Sequence, residues 1–210
     1  LIRTHGDAFV ERVKAKDLSS SSGKILRLTE TGDVPPDNPF INQSGVLPEI
    51  FSYGHRNPQA VVYDPQSNLI YTHEHGPRGG DELNLMRPGV NYGWPAITYG
   101  IDYSGATISP YTSLPGMEQP LTYWDPSIAP SGMTLYQGEL FPEWQGDLFL
   151  TSLRFKNVYR VDMQDGTPGD QQTLFSDIKE RLRDIRTAPD GSLYILAEGE
   201  NGTIWQVLRK

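Results

Sequence analysis

The sequence predicts an all-β protein assembled from short strands, and three observations carry that expectation. First, 21 Gly and 17 Pro among 210 residues punctuate brief runs rich in Val, Ile, Leu, Tyr and Phe, while stretches with a helical apolar period are scarce. Second, a polar turn precedes a strand-like run three times, in Asp64-Pro-Gln-Ser-Asn-Leu-Ile-Tyr, Trp144-Gln-Gly-Asp-Leu-Phe-Leu and Pro189-Asp-Gly-Ser-Leu-Tyr-Ile-Leu. Third, these runs are spaced: Leu148 and Leu193 are 45 residues apart, and Leu69 precedes Leu148 by 79. A period near 45 suits a four-stranded propeller blade, and the larger gap is one period plus an inserted loop, Pro88 to Pro120. Turn-plus-strand similarity also arises by chance in β proteins, so the period alone leaves both readings open.

In chain order, the first expected strand is Lys24–Leu28, which follows Gly23. Ala60–Tyr63 and Leu69–Thr72 flank the polar turn at Asp64–Asn68, and Met133–Tyr136 precedes the next repeat. Asp147–Ser152 follows Gly146, and Asn157–Asp162 follows a short polar break. Ser192–Ala197 follows Asp190-Gly191, and Thr203–Leu208 follows Asn201-Gly202. Most are five or six residues long. At that period, 210 residues make about four blades, few for a propeller with a functional channel. Either the ring is unusually small or further blades lie outside these residues, and Leu rather than Met at position 1 favours an upstream segment.

Composition narrows the function classes. With 37% hydrophobic and 21% charged residues the chain is of ordinary globular type. A net charge of -8, with acidic residues scattered rather than in runs, leaves no basic stripe for nucleic acid and no polybasic patch for anionic lipid. No apolar run approaches the roughly 18 residues that span a bilayer, and Leu1–Val10 is not a signal peptide. Without Cys there are no disulfides and no thiolate metal sites.

Three stretches carry chemistry. In Tyr53-Gly-His-Arg-Asn-Pro-Gln, Gly and Pro flank His55, Arg56 and Asn57, so the polar side chains sit on a rigid loop. The loop is either a solvated turn or a fixed Arg–Asn pair that donates to an oxyanion or quinone oxygen. In Glu74-His-Gly-Pro-Arg-Gly-Gly-Asp-Glu, followed by Asn91-Tyr-Gly-Trp-Pro and Asp102, carboxylates alternate with Gly and Pro. Calcium takes about six to eight oxygens from carboxylates and main-chain carbonyls, so Asp81, Glu82 and Asp102 are candidate ligands. Histidines at 5, 55, 73 and 75 lack the usual zinc spacing, and the alternation of His73 and His75 fits a strand in which one is packed. The third stretch comprises Arg154 and Glu180-Arg-Leu-Arg-Asp, where Arg181 and Arg183 share a side if extended. It is either a solvated face balanced by Glu180 and Asp184 or an anion site suited to carboxylates.

Together these stretches resemble the soluble glucose dehydrogenase and aldose sugar dehydrogenase family, which uses pyrroloquinoline quinone (PQQ). Gly23-Lys-Ile-Leu-Arg-Leu, Asp37-Asn-Pro-Phe, Gly54-His-Arg-Asn-Pro-Gln, Glu74-His-Gly-Pro-Arg-Gly-Gly-Asp-Glu, Asn91-Tyr-Gly-Trp-Pro, Ala129-Pro-Ser-Gly-Met and Arg181-Leu-Arg-Asp occur in the family's order. The resemblance implies a six-bladed β-propeller, of which this chain supplies about four blades as one incomplete domain over 1–210, with PQQ and Ca2+ as cofactors. It implies oxidation of an aldose sugar to a lactone, an electron acceptor, and a periplasmic or secreted location.

By motif, Arg56 resembles the arginine that stabilises charge on the quinone, and Asn57, His75 and Ser127 resemble cofactor contacts. Arg154, Arg181 and Arg183 match cations that hold the cofactor's carboxylates. The carbonyls of Gly76 and Pro77 match ligands of the catalytic calcium. Glu82, the Tyr92 carbonyl and Asp102 fall where relatives hold a second, structural calcium. Gly6-Asp7 matches the pair whose carboxylate orients the general base, and that base, a His in an earlier blade, is expected outside this sequence. The two missing blades are therefore expected upstream, as a partner segment of the same propeller. The same ancestry also leaves open a non-catalytic extracellular binding module, or a calcium-dependent lactonase with no use for the arginines.

Overall fold

The computed structural model describes residues 2–3, 11–164 and 166–209. Among them fourteen strands run in order: β1 (Ile2–Arg3), β2 (Lys24–Leu26), β3 (Ile50–Tyr53), β4 (Pro58–Asp64), β5 (Leu69–Glu74), β6 (Asp81–Leu85), β7 (Thr122–Trp124), β8 (Pro130–Leu135), β9 (Leu148–Ser152), β10 (Val158–Gln164), β11 (Thr167–Leu174), β12 (Leu182–Thr187), β13 (Leu193–Ala197) and β14 (Thr203–Val207). They form four sheets, β1–β3, β4–β7, β8–β11 and β12–β14, each taking its strands in sequence order as an antiparallel meander. Short 3-10 turns occupy Arg12–Ala15 and Pro142–Trp144.

All eight expected strands are present, with ends moved by up to three residues. Leu69, Leu148 and Leu193 open β5, β9 and β13, each the second strand of its sheet, so the sequence repeat marks one recurring position. Just before them, Asn68, Gly146 and Gly191 have φ of 58°, 86° and 81°, the left-handed turn that Asn and Gly adopt at little cost. The long first interval is explained by residues 86–121, inserted between β6 and β7.

Several strands escape the sequence pattern, each for a physical reason. Asp81 and Glu82 were expected in a metal-binding loop; they open β6 instead, paired with Trp124 and Tyr123 of β7, and Glu82 also pairs with Glu74 of β5. Hydrogen bonding on both edges overrides the poor strand propensity of acidic residues. β11 is an edge strand, mostly exposed and carrying Pro168 and Gly169, so it has no apolar alternation to read. β12 buries Leu182 and Ile185, three apart rather than two, because the register shifts between Leu182 and Asp184.

The chain divides into two compact units, Leu1–Val61 with Ile70–Ser127, and Val62–Leu69 with Ile128–Lys210. In the first, adjacent strand residues point to opposite faces. Ile25 and Phe51 join Met86 and Tyr92 on one side, while Leu26 and Ile50 join Phe40 on the other. Lys24 is fully buried, its ammonium donating to the carbonyls of Lys14, Ala15 and Ser22 at 2.7–2.9 Å, which matches its three donors with three acceptors. In the second unit, β9 is buried along its whole length, and Tyr136, Phe141, Trp144 and Phe149 form an aromatic cluster. The Tyr136 hydroxyl donates to the Gly191 carbonyl at 2.7 Å and accepts from the Phe141 amide at 2.9 Å.

Candidate functional site

The loop after β3 leads directly into the first part of the site. Gly54 turns the chain at φ 76°, its amide held by the Ala15 carbonyl, and the next amide, of His55, by the Gly23 carbonyl. Arg56 and Asn57 then point both main-chain amides at one carboxylate oxygen, Glu74 Oε2, at 2.6 and 3.1 Å. The other oxygen of Glu74 accepts from His55 Nδ1 at 3.1 Å. His55 is fully buried, stacks on Tyr92 at 4.7 Å between centroids, and meets Ser52 Oγ through Nε2 at 2.8 Å. These hydrogen bonds hold the Glu74 carboxyl below its ordinary value although burial opposes them. The Arg56 guanidinium donates to the His75 carbonyl at 2.9 Å and lies 5.6 Å from the Trp94 ring and 6.0 Å from that of Tyr103.

The β5–β6 connection supplies the second part. His75 donates its amide to the Asn57 carbonyl, which ties the two loops together. Gly76 donates to Asp81 Oδ1 at 2.9 Å, and a Cβ on Gly76 would collide with the carbonyl oxygens of Gly79 and Gly80. Asp81 Oδ2 accepts from Ser127 Oγ at 2.6 Å. Beside this bend lies a cavity of about 10 Å³, lined in part by Glu74, Gly76, Glu82, Tyr92 and Thr98. Desolvation, and then the neighbouring charge of Glu74, push the Glu82 carboxyl up to about 8. A small cation beside Glu82 would relieve that cost, and this raised carboxyl is the feature of the lining that favours calcium. Asp102 does not line this cavity. Its carboxylate accepts from Ser104 and pairs with Arg12 at 2.8 Å, contacts that hold it down at about 2. Among the described residues no three His, Asp or Glu side chains gather as a metal cluster.

The second unit carries the cations. Arg183 Nη2 lies 2.7 Å and Arg181 Nη1 3.7 Å from the same oxygen of Glu198, so both guanidiniums converge on one carboxylate. That convergence agrees with the expectation that the two side chains share a side. The guanidinium of Arg154 lies 5.1 Å from the Phe155 ring.

The structure thus gathers Arg56, Asn57, His75, Gly76, Glu82 and Tyr92 around one network, with Ser127 joined to it through Asp81. Pro77 is buried in the same β5–β6 connection. Asp7 lies outside the described residues. Sequence reasoning gave no role to Glu74, His55 or Glu198, although Glu74 stood in the quoted motif two residues beyond the expected strand Leu69–Thr72. Only the three-dimensional pairing shows what its carboxylate faces.

The fold and site together define an all-β protein of sequential meander sheets, with a buried Glu74-centred hydrogen-bond network in one unit and a guanidinium pair in the other. The chain belongs to the glucose / sorbosone dehydrogenase family, whose model matches residues 1–206. It is 44% identical over 199 residues to aldose sugar dehydrogenase YliI of Escherichia coli (strain K12), covering 94% of this chain and 54% of that protein. A crystal structure of glucose dehydrogenase superposes with a TM-score of 0.95 at 44% identity, covering 100% of this chain and 60% of that one. The PQQ-bound form of aldose sugar dehydrogenase from Streptomyces coelicolor superposes with a TM-score of 0.71 at 28% identity, over 93% of this chain and 54% of that one. The chain spans about half the length of the curated relatives it matches. No helix among the described residues is long and apolar enough to cross a membrane.

Proposed function

We propose that this chain is the greater part of a six-bladed propeller that oxidises aldose sugars at the anomeric carbon to lactones, with calcium and PQQ as cofactors. The convergence of Arg181 and Arg183 on one carboxylate carries the proposal, since a paired guanidinium clamp suits a ligand bearing carboxylates. When bound, the quinone supplies hydride acceptance and calcium supplies Lewis acidity at the quinone oxygens.

The chain's own residues do the rest. Arg181, Arg183 and Arg154 bind cofactor carboxylates, Glu198 yielding its place on the first two. Arg56, buried and fixed by the His75 carbonyl, holds a cation where negative charge develops, and a desolvated, pre-oriented charge acts there at low reorganisation cost. Asn57, His75 and Ser127 orient the cofactor. The carbonyls of Gly76 and Pro77 would hold the catalytic calcium, and Glu82 with the Tyr92 carbonyl would hold a structural one. Asp102, paired with Arg12 and outside the Glu82 cavity, would join that second set only by giving up Arg12. Asp7 orients a general base supplied from outside this sequence. An electron acceptor and the remaining blades complete the enzyme, which works in the periplasm or as a secreted protein.

Calorimetric titration of PQQ into the calcium-loaded full-length protein, beside its Arg181→Ala variant, tests the proposal. Calcium-dependent binding that the variant weakens supports it. Absence of binding refutes it and leaves a propeller binding module or a calcium-dependent lactonase.

A further inference from the structure

We propose that Glu74 is the positioning residue of the site: its carboxylate, itself oriented by His55, sets the place of Arg56 and Asn57. This rests on the oxidation proposed above, since it concerns how the same site is held. Four facts converge. Glu74 is the last residue of β5 and its side chain is buried, so its main chain is anchored by the sheet. One oxygen accepts both the Arg56 and the Asn57 amide, which leaves those two residues little freedom of backbone rotation. The other oxygen is engaged by His55 Nδ1 and, at 3.4 Å, by Asn84 Nδ2. On the chain's return, the His75 amide donates to the Asn57 carbonyl while its own carbonyl accepts the Arg56 guanidinium. Backbone and side chain of Arg56 are therefore both referenced to the β5 terminus.

Ser52, His55 and Glu74 also have the connectivity of a hydrolytic triad. They do not act as one, because Ser52 and His55 are fully buried and no substrate carbonyl reaches the hydroxyl. Their geometry serves orientation. A carboxylate only accepts, so His55 Nδ1 carries a proton toward Glu74, while Nε2 meets the Ser52 hydroxyl, which also lies 3.7 Å from Met86 Sδ. Glutamine at 74 keeps the contacts to the two amides and to His55 by a tautomer change, and loses the 3.4 Å contact, since its NH2 cannot accept from Asn84 Nδ2. Its carbonyl oxygen faces the two amides, its NH2 donates to Nδ1, and Nε2–H donates to Ser52. Aspartate keeps the charge but is one methylene too short to reach the amides from the same anchor. Length, not charge, is the property that matters.

The test, made in the full-length protein that supplies the base and the remaining blades, compares wild type, Glu74→Gln, Glu74→Asp and Glu74→Ala in three measurements: hydrogen exchange of the Arg56 and Asn57 amides by NMR, the Kd for PQQ in calcium, and kcat against KM with an aldose. Exchange at the two amides is expected to quicken about tenfold or more in Asp and Ala and to stay near wild type in Gln. PQQ affinity follows the same order, and kcat falls up to about 100-fold in Asp and Ala with KM little changed, the signature of a misplaced group. If Ala does not fold, the Gln and Asp pair decides. Asp outperforming Gln overturns the inference in favour of charge, and folded variants with wild-type exchange and affinity overturn it outright. If exchange follows the expected order but wild type binds no PQQ, the oxidation reading falls and the positioning role falls with it, leaving a structural bracket.

Discussion

Gly54→Ala should destabilise the protein well beyond an ordinary glycine substitution. Two effects add. At φ 76° the backbone is left-handed, which costs an L-residue about 1–2 kcal/mol. The new Cβ would also lie 2.7 Å from the Gly93 nitrogen and closer still to Asn91 Oδ1. Neither neighbour is free to retreat: Gly93 N–H donates to that Asn91 oxygen at 2.9 Å, and the amides on either side donate to the carbonyls of Tyr53 and Gly54. Forced overpacking of this kind adds about 1–3 kcal/mol, for a total of roughly 2–5 kcal/mol. Gly32→Ala is the control, with φ 87° and nothing within 4 Å of its Cβ, so it carries only the conformational cost. At a urea slope of about 2 kcal/mol per M, the steric part alone separates the two unfolding midpoints by about 0.5–1.5 M. Equal midpoints would refute the claim that the 54–57 loop is clamped against residues 91–93. Because Arg56 is two residues on, Gly54→Ala should also weaken PQQ binding where Gly32→Ala does not.

Other outcomes follow from the same geometry. Tyr136→Phe leaves the Phe141 amide and the Gly191 carbonyl without the shared hydroxyl, so chemical unfolding should show a loss of about 1–3 kcal/mol with the aromatic cluster otherwise intact. Burial, opposed by Asp17, lowers the Lys24 ammonium to about 8 from its ordinary 10.5, so between those values the folded state holds fewer protons than the unfolded one. This group's contribution to stability therefore rises with pH across that window, and 15Nζ NMR should find a midpoint near 8; one above 10 would contradict it. The raised Glu82 carboxyl must lose its proton to bind calcium, so calcium affinity should climb with pH up to about 8 and level off beyond. Glu82→Gln should weaken binding and flatten that dependence, and chelation should lower the melting temperature of wild type more than of the variant.

The strands that sequence could place were those with a local cause: apolar runs preceded by a left-handed Asn or Gly, recurring at the second strand of each sheet. The acidic, charged and edge strands β6, β12 and β11 could not be placed that way, because pairing with neighbouring strands stabilises them rather than an apolar pattern of their own. The site divides similarly. Motifs named Arg56, Asn57, Glu82 and the Arg181–Arg183 pair, since residue type and spacing announce cations and oxygen donors. They were silent on Asp102's ion pair with Arg12, 90 residues away in sequence.

Sequence by itself therefore determined the family, the all-β class and the chemical inventory. The tertiary structure decided which groups share a hydrogen bond. Glu74 meets two amides 17 and 18 residues earlier only because β5 and the loop after β3 end at the same place, and Glu198 meets Arg181 and Arg183 only through the pairing of β12 with β13. Such convergence depends on strand register, which is set by the burial of whole sheets and is written in no single segment.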